Sequence, residues 1–193
     1  AIDDANDGDE IIVMPGTYNG TGMEVINMQG KALWLHSSDG AENTIINGEN
    51  SRRVIICNSS ETNETIIEGF TITEGFATGE FPLNCGAGIS SYNSSPMIIE
   101  CVIIDNVAER HGGGVDFRGL SDPRIIDCTI SNNSAGFDGA GILAFDSNTT
   151  ITDCVISNNT ANRWTGGIVC INGIHTISGC EVTNNSAAAD LDG

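Results

Sequence analysis

Four cysteines, Cys101, Cys128, Cys154 and Cys180, recur at intervals of 27, 26 and 26 residues, each with the same neighbours. An Ile precedes each one (Ile98, Ile125, Ile151, Ile177). An aliphatic residue follows it (Ile103, Ile130, Ile156, Val182), and then an Asn (Asn106, Asn133, Asn159, Asn185). A Gly-rich step closes each unit, at Gly112-Gly113-Gly114, Gly139-Ala140-Gly141, Gly166-Gly167 and Asp192-Gly193. A fixed period of this size marks a solenoid, whose repeats bury their apolar faces against one another rather than in a central core.

Within a unit the pattern is that of short strands. In Cys128-Thr129-Ile130-Ser131 the Cys and Ile point one way and the Thr and Ser the other, the period-2 alternation of a half-buried strand. Each unit reads as three short strands separated by tight bends, closing into one coil, and no segment carries a helical stripe. Stacked coils pair equivalent strands in parallel about 4.8 Å apart. The expected architecture is all-β: a single-stranded parallel β-helix of roughly seven coils of about 26 residues, close to 35 Å tall at that spacing. One domain spans residues 1-193, with irregular coils over 1-87 and four regular ones over 88-193. In the irregular part Phe70 takes the place of the cysteine, and Thr78 to Cys85 (TGEFPLNC) interrupts the period as a protruding loop, where specificity tends to sit. The chain opens abruptly at Ala1 and stops within a repeat, so a longer parent protein is expected.

Charge narrows the function classes. Twenty-six acidic residues face seven basic ones, Lys31 being the only lysine, for a formal net charge of −19. Nucleic acid and anionic membranes require cationic patches and are not expected partners. Acidic polysaccharides would be repelled unless a divalent cation bridges them. The apolar runs are too short for membrane insertion.

The repeat columns have direct physical roles. The isoleucines bury aliphatic surface, each worth about 1.5–3 kcal/mol. The cysteines make an inward file of small side chains whose parallel vectors oppose disulfide torsions. Cys57, Cys85 and Cys170 lie outside the file, and their redox state is open. Asn106, Asn133, Asn159 and Asn185 fall at a bend, where stacked amides can bond from coil to coil and where Asn tolerates left-handed backbone. Sequons at Asn132, Asn158 and Asn184 come with this Asn-rich turn. The most chemically suggestive column is Glu100, Asp127 and Asp153, beside the cysteines. Three carboxylates about 5 Å apart repel; calcium on oxygen ligands would relieve them, and so would simple hydration or one carboxyl holding its proton. The histidines His36, His111 and His175 show no ligand spacing.

The segment Asp7-Gly8-Asp9-Glu10-Ile11-Ile12-Val13-Met14-Pro15-Gly16-Thr17-Tyr18 resembles the G-D-x-I-x-V-x-P-G-T-Y opening of right-handed parallel β-helix proteins of the pectin-lyase-like superfamily. Those proteins carry a capping helix before this strand, which implies that Ala1 to Asn6 is its remnant. The later units are also similar to the repeats of chlamydial polymorphic outer membrane proteins, through Gly113-Gly114-Val115, Ala140-Gly141-Ile142 and Gly166-Gly167-Ile168. In Ile130-Ser131-Asn132-Asn133 and Ile156-Ser157-Asn158-Asn159, Ile replaces the Phe of that family's motif.

The superfamily includes polysaccharide lyases, glycoside hydrolases, tailspikes and adhesins. A lyase of this kind would need an Arg or Lys base and acids holding calcium, which points to Asp116 and Arg118 on one strand, with Arg124 nearby. Their equivalents in neighbouring units, Ser90, Tyr92, Leu143, Phe145, Val169 and Ile171, build no basic groove, and no pair of carboxylates recurs. The leading expectation is therefore a non-catalytic extracellular or cell-surface scaffold, adhesin-like or spacer, meeting polysaccharide or other cell-surface components. The alternative is a carbohydrate-active enzyme, a calcium-dependent polysaccharide lyase or a glycoside hydrolase, with its site at Asp116 and Arg118 or at loop 78-85. End-to-end self-association through unpaired strand edges is a further expectation.

Overall fold

The computed structural model describes residues 1–188, and all elements below belong to that span. The chain winds into a parallel solenoid with four sheets running along its length, two of seven strands, one of six and one of five. One coil shows the order. Ile89–Tyr92 lies in sheet one, Met97–Ile99 in sheet two, Val102–Ile104 in sheet three and Val107–Ala108 in sheet four. The next coil repeats it with Val115–Arg118, Arg124–Ile126, Thr129–Ser131 and Ser134–Ala135. Every pairing between coils is parallel and in register, including Ile98 with Ile125 and Ile103 with Ile130.

Sheet four is one strand more per coil than the sequence pattern predicts. Its strands are two residues long, too short to show an alternation, and only the inward Ala (Ala77, Ala108, Ala135, Ala161) is buried. The irregular N-terminal part joins the same stack: Ile11 pairs with Leu35, and Leu35 with Ile67. A short 3-10 helix at Ile2–Asp4 stands where the helix remnant was expected, and Ile2 and Ala5 pack on the core. The Gly-rich step expected at Asp192-Gly193 lies outside the described residues.

Inward positions form continuous files. Ile98, Ile125 and Ile151 fill sheet two, and Ile103, Ile130 and Ile156 fill sheet three, all fully buried. The cysteine file runs Phe70, Cys101, Cys128 and Cys154, also buried, with the half-buried Cys180 beyond it. Their thiols donate to backbone carbonyls, Cys128 Sγ to Ile126 O at 3.2 Å and Cys154 Sγ to Thr152 O at 3.1 Å. All seven cysteines are free thiols, Cys57, Cys85 and Cys170 included.

The Asn column is a bonded ladder. The backbone N–H of Asn106 donates to Asn133 Oδ1, that of Asn133 to Asn159 Oδ1 and that of Asn159 to Asn185 Oδ1, each at 3.0 Å. Each side-chain amide also donates to the next Oδ1, and each reaches a carbonyl of an earlier coil, as Asn133 Nδ2 does to Ile103 O at 2.9 Å. The glycine step packs against this ladder. A Cβ at Gly141 would lie 2.6 Å from Gly167 O and 3.0 Å from Asn159 Nδ2, and Gly88 and Gly114 are as crowded. The two strongest signals of the repeat are thus one contact: the backbone must pass so close to the amide row that no side chain fits.

The ladder asparagines do not themselves take the left-handed bend. That conformation belongs to the residue before each, Asp105, Asn132, Asn158 and Asn184, at φ 55 to 57°. A second left-handed column, between sheets two and three, reads Gly69, Glu100, Asp127, Asp153 and Gly179. Asn, Asp and Gly are the residues that enter this region most readily. Among the described residues seven acids stand at left-handed positions (Glu49, Glu74, Glu100, Asp105, Asp127, Asp146, Asp153), so turn chemistry accounts for part of the negative charge.

One buried carboxylate locks the lower coils and has no counterpart in the repeat. Glu61, 2% exposed, accepts from the N–H groups of Gly30 and Ser59, both at 2.8 Å, and from Ser94 Oγ at 2.7 Å. Glu61→Ala strands those donors and is expected to cost about 3 kcal/mol in urea unfolding, whereas Glu61→Gln, which keeps one acceptor, should cost about 1–2 kcal/mol.

Candidate functional site

On sheet one the outward positions stack as Ile56, Ser90, Asp116, Leu143 and Val169 in one column and Tyr92, Arg118, Phe145 and Ile171 in the other. An acid and a guanidinium two residues apart on one strand therefore share a face with no charged residue beside them in either column. The interrupting segment 78-85 folds back over them. Phe81 stacks on the Arg118 guanidinium with 5.2 Å between its carbon and the ring centre, and Cys85 is buried with its thiol 3.8 Å from Arg118 Nη2. The two locations proposed from sequence, Asp116-Arg118 and the loop, are one place.

The pair is closed upon itself. Arg118 Nε donates to Asp116 Oδ2 at 2.7 Å, and the two residues are 8% and 2% exposed. The other carboxylate oxygen, Asp116 Oδ1, is buried with no hydrogen-bond partner. Burial pushes the Asp116 carboxyl up from its ordinary 3.8 to about 6, while Arg118 and Arg53 hold it back from going further. The Cys85 thiol is pushed up to about 11, again by burial first and then by Asp116. Arg53, 7% exposed, makes no hydrogen bond or ion pair with any described residue, and burial lowers its pKa. Between loop and sheet lies a cavity of about 190 Å³, bounded by Arg53, Ser90, Asp116 and Arg118 below and Pro82 and Leu83 above.

The raised carboxyl has a consequence for stability. Since Asp116 binds its proton more tightly folded than unfolded, its contribution is complete below about pH 4 and lost as pH rises through 6. Wild type is expected to lose about 2–3 kcal/mol relative to Asp116→Asn between pH 4 and 7. His111 runs the other way: burial, then Arg118, lower it to about 4, so the paired comparison is needed to isolate Asp116. Chemical unfolding of both proteins at several pH values reads the difference.

Beyond the cavity, the bends before sheet one stack their side chains alternately. Arg110 lies between Phe81 at 5.2 Å and Phe137 at 5.5 Å, and Arg163 between Phe137 at 5.2 Å and Trp164 at 5.6 Å. With Arg118 between Phe81 and Phe145, three of the chain's seven basic residues sit in one aromatic row. Each contact is worth about 0.5–1 kcal/mol where exposed.

The family described as right handed beta helix region matches residues 11–193, nearly the whole chain. The chain belongs to the right-handed β-helix family. No curated protein and no solved structure matches it. Family and fold agree with the pectin-lyase-like resemblance, while the likeness to polymorphic outer membrane proteins rests on its motifs alone.

Elsewhere on this β-helix the sequence candidates do not converge. Glu100, Asp127 and Asp153 stand one above another, exposed, at the left-handed bend, and the column continues as Gly179. Among the described residues no three His, Cys, Asp or Glu side chains gather as a metal-holding group. Arg124 is exposed at the start of its sheet-two strand, away from the Asp116 pair. His36 bonds Glu10 at 2.8 Å and stacks on Trp34, and His111 stands 3.7 Å from Asp138. Arg53 escaped the sequence reading altogether. The only available signal was an Arg pair in a chain poor in cations.

Proposed function

We propose that this β-helix is a non-catalytic scaffold of a secreted or cell-surface protein, adhesin-like or spacer, meeting polysaccharide or other cell-surface components through the loop-covered face of sheet one. The observation that carries this reading is the closure of Asp116 and Arg118 on each other beneath Phe81. A base needs reach to a proton on its substrate. Here the guanidinium is spent on its own carboxylate and on two aromatic faces. The regular Asn–Gly stack and the charge of −19 suit a rigid, soluble rod. Incubation with pectate, alginate and glycosaminoglycans, with and without calcium, is expected to give no unsaturated or shortened products.

A second reading is favoured by one feature, the carboxyl of Asp116 poised near 6 beside a cavity. On that reading the protein is a polysaccharide lyase or glycoside hydrolase, with Asp116 and Arg118 at its centre and calcium on Glu100, Asp127 and Asp153. Product formation in the same panel, abolished by Asp116→Asn, would establish it and overturn the scaffold. Calcium titration with no heat and an unchanged melting temperature would remove the calcium part. End-to-end assembly of copies is a separate proposal, and light scattering showing monomers alone would count against it.

A further inference from the structure

The cavity under loop 78-85 is incomplete in its own hydrogen bonding. Asp116 Oδ1 at its wall is buried with no hydrogen-bond partner, and beside it the Arg53 guanidinium makes no hydrogen bond with any described residue. An unpaired buried acceptor is costly, and proteins keep one where something else completes the set. Arg118 cannot complete it, because its Nε is on Asp116 Oδ2 and its guanidinium is sandwiched between Phe81 and Phe145.

The unfilled donors and acceptor specify the missing partner. Asp116 and Arg118 neutralise each other, and Arg53 stands in register opposite Glu24, which counters its charge but makes no hydrogen bond with it, so the guanidinium donors are unfilled. A planar carboxylate matches a guanidinium with two parallel hydrogen bonds. Asp116 Oδ1 requires a donor. A neutral hydroxyl supplies one without adding charge, whereas an ammonium would bring a further cation beside Arg53 and Arg118. A volume of about 190 Å³ admits a molecule of a few carbon atoms, and Leu83 and Tyr92 offer apolar surface for its carbon skeleton.

We infer that this cavity binds a small hydroxycarboxylate, its carboxylate on Arg53 and its hydroxyl donating to Asp116 Oδ1. The inference is independent of the scaffold reading, since a rod can carry a ligand site without acting on the ligand.

Isothermal titration with D-glycerate, propionate and glycerol tests it. Propionate lacks the hydroxyl and glycerol lacks the carboxylate. Glycerate is expected to bind at least tenfold more tightly than either. Arg53→Gln is expected to abolish that binding, with its melting temperature as the check that it is folded. Leu83→Trp, a change on an exposed loop that fills the cavity, should abolish it as well and guards against misfolding of the first variant. Equal heats for glycerate and propionate, or undiminished glycerate binding by either folded variant, would overturn the inference. So would binding confined to a trigalacturonate arm of the same titration, which would instead support the carbohydrate reading.

Discussion

Gly141→Val is expected to destabilise the protein by about 3 kcal/mol or more, the cost of forcing bulk where neither backbone nor ladder can retreat. A Cβ there meets the carbonyl oxygen of Gly167 at 2.6 Å and the Asn159 amide at 3.0 Å. Backbone φ is not the reason, since Gly141 is absent from the left-handed set. Gly40 supplies the contrast. It sits at φ 78° with nothing within 4 Å of a built Cβ, so Gly40→Ala should cost only the left-handed penalty, about 1–2 kcal/mol. Urea unfolding of the two variants separates crowding from conformation, and a Gly141→Val loss no larger than that of Gly40→Ala would refute the close-approach explanation.

Asn133→Ala should lose about 2–4 kcal/mol, because the change leaves several buried groups unpaired at once. Its Oδ1 accepts both the N–H and the side-chain amide of Asn106, and its Nδ2 supplies Asn159 Oδ1 and Ile103 O. Its neighbour Asn132 is exposed, at φ 55°, and bonds no coil above or below through its side chain. Asn132→Gly should change stability by less than about 1 kcal/mol, since glycine takes the left-handed bend freely. Two adjacent asparagines, alike in sequence, thus differ severalfold in consequence. Thermal and chemical unfolding of the pair measures that ratio, and equal losses would mean that the ladder bonds contribute nothing special.

Where identical side chains stack, the sequence is a good guide to the structure. The Ile, Cys and Asn columns are visible because each position meets its own copy one coil away, and this register also placed Ser90, Asp116 and Leu143 in line correctly. At Glu100, Asp127 and Asp153 a second cause aligns the residues. A row of acids looks like a ligand set in one dimension, but the backbone wants a left-handed residue there and accepts Gly69 and Gly179 equally well. What was not legible departs from the repeat. Glu61 is solitary, the two-residue strands of sheet four are below the length at which a pattern exists, and Phe81 reaches Arg118 only because loop 78-85 folds back across sheet one. The candidate site consists of such departures: Asp116 and Arg118 have no charged equivalents at the register positions on either side of them.

The repeated asparagines are bonded into the stack as its structural spine. Residue-resolved amide hydrogen exchange tests this most directly. The N–H groups of Asn106, Asn133 and Asn159, each donating to the next Asn Oδ1, should exchange as slowly as those of the buried Ile103 and Ile130, through global unfolding alone. Exchange at the rate of the exposed bends around them would contradict it, because the ladder would then be a surface feature free to serve some other purpose.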